Sequence, residues 1–155
     1  MSLLQRISPL PKRAAHKVLK LLSAMGFDQR IQVPRDAHVS FALVYKDMVI
    51  GHLSLRDGLW SFVYTDEFRS SRKIKPLMMF PDVEKVYESE ELWPFFQMRI
   101  PSLKQPVVRA LIEKEHIDQY NLVELLRRFG RRTITNPFEL RETNPSQFSS
   151  QPGRL

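Results

Sequence analysis

Histidines, cysteines, clustered glycines and paired carboxylates are the residue types that most often carry chemistry, and this chain spaces them so that little chemistry is expected. Cysteine is absent. That removes a disulfide framework, thiolate ligation of zinc or iron–sulfur clusters, and a thiol nucleophile; a reducing cytoplasm fits such a composition. The four histidines, His16, His38, His52 and His116, have no spacing that sets two on one helix face, so no metal site is expected. The five glycines stand singly at 26, 51, 58, 130 and 153, whereas a phosphate cradle needs them clustered or followed by Lys-Ser/Thr. Glu88, Glu90 and Glu91 could supply carboxylates for acid–base work, but no nucleophile accompanies them. Acidic residues ahead of a helix are routine partners of its dipole. No catalytic residue and no cofactor are assigned.

The run His116-Ile117-Asp118-Gln119-Tyr120-Asn121 superficially resembles a kinase catalytic loop. Such a loop places four residues between its Asp and its metal-binding Asn, and this run places two. It is read instead as a connection between helices, with Asp118 or Asn121 as a cap, a position both residue types favour.

The 155 residues, 43% hydrophobic and 26% charged, suit one compact domain with short appendages. No window nears the roughly 18 consecutive apolar residues of a membrane span. Met1–Leu10, whose only charge is Arg6, lacks the apolar run of a secretory leader. The formal charge of +7 is uneven: residues 1–36 hold seven basic and two acidic side chains, while residues 37–140 hold fifteen and fourteen. A basic arm for nucleic acid or an acidic protein is one reading; a solvated helix face is the other. The second is preferred, because neither an Arg-rich block nor interleaved stacking aromatics accompany the charge.

Near the N-terminus, Pro11 in an opening turn and Gly26 beyond the end delimit a helix over about 11–25. Ala14, Val18, Leu21, Leu22 and Met25 form its apolar stripe, opposite Lys12, Arg13, Lys17 and Lys20. Beyond Asp36 the period changes to that of strands. His38–Tyr45, Met48–Leu55 and Leu59–Thr65, with a turn at Arg56-Asp57-Gly58, read as an antiparallel meander. Alternation sends Trp60, Phe62 and Tyr64 to one face and Leu59, Ser61 and Val63 to the other. Residues 66–87 lack periodicity, with a basic stretch at Arg69, Arg72, Lys73 and Lys75 and an apolar piece between Pro76 and Pro81. A short helix beginning in Glu88–Phe96 and ending by Pro101 or Ser102 is expected, then helices from Pro106 to about His116 and from Asn121 to Gly130. The fold class is therefore α+β: an antiparallel meander or small barrel-like sheet, packed with short C-terminal helices and preceded by an N-terminal helix. Its parts are a basic extension (1–36), the α+β body (37–140) and a polar tail (141–155) expected to be mobile.

Several strings, in order, resemble the N-terminal subdomain of HipA-type serine/threonine kinases, which also occurs as the separate small protein HipS of three-component HipBST toxin–antitoxin systems. Val44–Leu53 resembles the family's opening hairpin with its hydrophobic-Gly-x-Leu second strand, and Trp60–Tyr64 its F-x-Y third strand. Lys75–Pro81 stands in the place of its Pro-Ile-Ser-x-x-Leu-Pro segment. Leu92-Trp93-Pro94-Phe95-Phe96 is similar to its Leu-Phe-Pro-Phe-Phe helix start, and Asn121–Gly130 to its Leu-Leu-x-x-x-Gly helix ending. The likeness covers about residues 39–130. Departures are Arg99-Ile100-Pro101-Ser102, where the family continues Leu-Pro-Glu-Gly, and Arg131–Thr135, which lacks the family's second glycine.

The resemblance implies an accessory or antitoxin subunit without kinase activity that binds and regulates a separately encoded HipA/HipT-like kinase, with a HipB-like DNA-binding protein as a further partner. Aromatic anchors ringed by polar groups mark such interfaces, so Trp93, Phe95 and Phe96 beside Glu88, Glu90 and Glu91 are the candidate partner surface. For Phe95 and Phe96 a core position is as good a reading; Trp93 is the one expected to reach solvent. The alternative is a nucleic-acid-binding regulator component using Lys12, Arg13, Lys17, Lys20, Arg69, Arg72 and Lys73.

Overall fold

A computed structural model describes residues 30–144. The expected helix over 11–25, with Lys12, Arg13, Lys17 and Lys20, lies outside the described residues. The elements are β1 (Val39–Tyr45), β2 (Met48–Arg56), β3 (Leu59–Tyr64), α1 (Asp66–Ser71), β4 (Tyr87–Ser89), α2 (Pro94–Gln97), α3 (Pro106–Glu115), α4 (Leu122–Phe129) and β5 (Glu139–Thr143). The sheet is antiparallel throughout, in the order β4-β3-β2-β1-β5. It is open, ending in two edge strands, so the class is α+β and the meander sits at its centre.

Asp57 and Gly58 both adopt positive φ, 51° and 76°. That is the conformation a two-residue hairpin needs to match the twist of its strands, and it sets the register of β2 on β3. Phe41 faces Leu53, and Leu53 faces Phe62. With period two, the same face then gathers Val39, Leu43, Leu55, Trp60 and Tyr64, all at most 2% exposed. Phe96, Val108, Ile112, Leu122, Val123, Leu125 and Leu126 close this core from the helical side. The opposite face carries Ser40, Ser54 and Ser61 side by side.

Gly51 shows why the second strand holds a glycine. A Cβ there would lie 2.6 Å from Phe62 Cζ and 2.7 Å from the Val63 carbonyl oxygen, and Phe62 is fully buried. Gly51→Ala is therefore expected to cost about 1–3 kcal/mol through overpacking. A lowered urea midpoint at unchanged m value would register it.

Four elements depart from the expectations. α1 arises in the stretch read as aperiodic: Thr65 caps it by accepting from the Phe68 amide at 3.1 Å, and Phe68 alone anchors it in the core. Of the acidic residues expected to open a helix, Glu88 instead lies in β4, opposite Ser61 of β3. The helix shrinks to the single turn α2, with Pro94 in its first turn and no acidic residue there. The expected tail loses its first residues to β5, which pairs Arg141 with Ala42 and Thr143 with Ser40.

The helix caps follow the sequence closely. Asn121 Oδ1 accepts from the amides of Val123 (3.0 Å) and Glu124 (3.3 Å). The Glu124 carboxylate accepts from the Asp118 amide at 2.9 Å, just ahead of the helix. No helix among the described residues is long and apolar enough to cross a membrane.

Candidate docking surface

The inward turn of Tyr64 at the end of β3 organises the segment that follows. Its hydroxyl donates to the Phe80 carbonyl at 2.7 Å and accepts from the Leu77 amide at 2.9 Å. The Phe80 amide donates to the Leu77 carbonyl at 2.8 Å, closing a four-residue turn. One buried hydroxyl thus holds both ends of Leu77-Met78-Met79-Phe80. Burial pushes the Tyr64 phenol up to about 12, opposed in part by the Leu77 amide, so it stays a donor at ordinary pH. The end residues plug into the core, Leu77 at 8% and Phe80 at 0% exposed, and the central pair stays outside, Met78 at 96% and Met79 at 41%. Tyr87 acts likewise on the next turn: its hydroxyl accepts from the Asp82 amide and donates to the Asp82 carbonyl.

The aromatic candidates separate in space. Phe96 is fully buried, its ring 5.7 Å from that of Phe62 and 5.0 Å from that of Phe95. It belongs to the core and cannot itself touch a partner, which corrects its place in the expected surface. Phe95 is half-buried between Phe96 and Phe138. Trp93, also half-buried, leads into α2 and meets the Phe80 ring edge-on at 5.1 Å. Phe80 is therefore the shared footing of Trp93 and of the Leu77–Phe80 turn. Glu88, Glu90 and Glu91 are exposed nearby in sequence.

Residues 41–135 match the HipA N-terminal domain. The chain belongs to the HipA N-terminal domain family. No curated protein matches it. The family fits a toxin–antitoxin context. The matched stretch runs from β1 to just ahead of β5, and so includes Gly51, Tyr64, the Leu77–Phe80 turn and α2.

Arg99, in the first place where this chain departs from the HipA N-terminal pattern, reaches residues that flank the second, Arg131–Thr135. Arg99 is 3% exposed. Its guanidinium donates to the Gly130 carbonyl (3.2 Å), the Phe138 carbonyl (3.0 Å) and Asn136 Oδ1 (3.0 Å), and lies over the Phe95 ring at 5.4 Å. Burial lowers its pKa to about 10, still charged at neutral pH. Sequence reasoning missed this residue, because a lone arginine in an unpatterned stretch gives no sign of burial.

Among the basic candidates, Arg69 is engaged within the fold. Its guanidinium donates to the carbonyls of Val83 and Tyr64, each at 3.0 Å, and to Asp66 at 2.7 Å. Arg72, which ends α1 with φ 49°, and Lys73 point into solvent. No group of three or more His, Cys, Asp or Glu among the described residues is placed to hold a metal.

Proposed function

We propose that this chain is a non-catalytic regulatory subunit that binds a separately encoded HipA/HipT-like serine/threonine kinase and holds it inactive, with a HipB-like DNA-binding protein as a further component. Membership of the HipA N-terminal domain family carries the reading. The surface lends support: on a body whose large apolar side chains are mostly buried, Trp93 and the Met78–Met79 pair reach outward around Phe80. Aromatic residues with one side packed and one side free are the usual energetic centres of protein interfaces.

The test combines the full chain with a HipA-type kinase from the same genome and follows autophosphorylation. Activity is expected to fall as the chain is added, and Trp93→Ala to need about thirtyfold more protein for the same effect, a loss of about 2 kcal/mol. Unchanged kinase activity together with tight binding to duplex DNA that weakens steeply with salt would favour the nucleic-acid reading instead. In that reading, of these three described residues, Arg72 and Lys73 rather than Arg69 would supply phosphate contacts.

A further inference from the structure

We infer that the Leu77–Phe80 turn is a preset knob, with Met78 entering an apolar socket on the kinase whose rim is acidic and meets Arg72, Lys73 and Lys75. The inference rests on the proposed function and specifies which surface does the docking and what the partner must present.

The knob is ordered before any partner arrives. Tyr64 ties both ends of the turn, Leu77 and Phe80 are sunk in the core, and Pro76 and Pro81 fix φ on either side. A projecting element held this way has little conformational freedom left to lose on binding. Met78 at 96% exposed gains nothing from its own fold. Its unbranched thioether is suited to filling an irregular apolar pocket.

Charge identifies the rim. Arg69, Arg127, Arg128, Arg132 and Arg141 each pair with a carboxylate of this chain. The side chains of Arg72, Lys73 and Lys75 are exposed without a hydrogen bond or ion pair among the described residues, as are those of Arg56, Lys104, Arg109 and Arg131, but these three alone among them lie on the approach to the turn. Three neighbouring cations left uncompensated beside an apolar knob favour an acidic counterpart, which would speed encounter and set orientation.

The test measures affinity of the full chain and its variants for a HipA-type kinase from the same genome. Wild type is expected to bind, Met78→Asp to bind about thirtyfold more weakly, and Met78→Leu within about threefold of wild type. Because Met78 stands outside the core, Met78→Asp should melt like wild type. Reversing Arg72, Lys73 and Lys75 to Glu should slow association about tenfold and flatten its salt dependence. If wild type binds and Met78→Asp binds equally well, the knob is overturned while the kinase reading stands. If wild type does not bind, both fall. Self-association abolished by Met78→Asp, without kinase binding, would identify the socket as a second copy and overturn the kinase assignment. A charge-reversed variant that associates as fast as wild type would remove the acidic rim.

Discussion

Arg99→Ala is expected to lower the stability of this protein by about 3–5 kcal/mol, since leaving a buried acceptor unsatisfied costs about 1–3 kcal/mol and this side chain serves three. The variant strands the carbonyls of Gly130 and Phe138 and the Asn136 side-chain oxygen, and opens a void beneath the Phe95 ring. Arg99→Lys should recover little, since an ammonium cannot reproduce the forked geometry that reaches three acceptors. Urea unfolding checks the magnitude. Hydrogen exchange checks the location: the Leu140 amide, bonded to the Arg131 carbonyl at 2.9 Å, should lose protection before the amides shared by β2 and β3. Uniform loss of protection would place the brace elsewhere.

Tyr64→Phe should cost about 2–4 kcal/mol, because the Leu77 amide and the Phe80 carbonyl lose their shared buried partner. This substitution also has a pH signature. The phenol is raised in the fold to about 12 from 10.0, so the fold binds its proton more tightly than the unfolded chain does. Its contribution is fully present below pH 10 and is lost as pH rises from 10 towards 12. Tyr87 is raised as well, by burial first, and adds in the same direction. The difference between wild type and Tyr64→Phe across that window isolates Tyr64. Urea midpoints at successive pH values should converge as the window is crossed, and curves that stay parallel would deny the hydroxyl this role.

The sequence was legible where a period or a cap had room to declare itself. β3 alternates over its six residues and β2 over most of its nine, while β1 is a near-continuous buried run, and Trp60, Phe62 and Tyr64 fall on the buried face as their spacing requires. α3 and α4 announce their ends through Pro106, Asn121 and Gly130. α1 and β4 are shorter than a readable period, and their reasons for existing are tertiary: Phe68 needs the core, and Tyr87–Ser89 needs the free edge of β3. β5 has four polar residues around Leu140 and looks like tail until β1 is there to receive it. The same limit applies to the candidate surface. Trp93 and Phe96 look alike as aromatic residues beside a proline, yet helix phase buries one completely and leaves the other half in solvent. Met78 and Met79 read as an apolar piece between prolines. Only the Tyr64 hydroxyl, thirteen residues before Leu77, reveals them as the exposed tip of a fixed turn.

Size-exclusion chromatography of an equimolar mixture of the full chain with a HipA-type kinase from the same genome tests the proposed docking most directly. A single co-eluting complex that persists at moderate salt is the expected result. Two separate peaks at every salt concentration would contradict it.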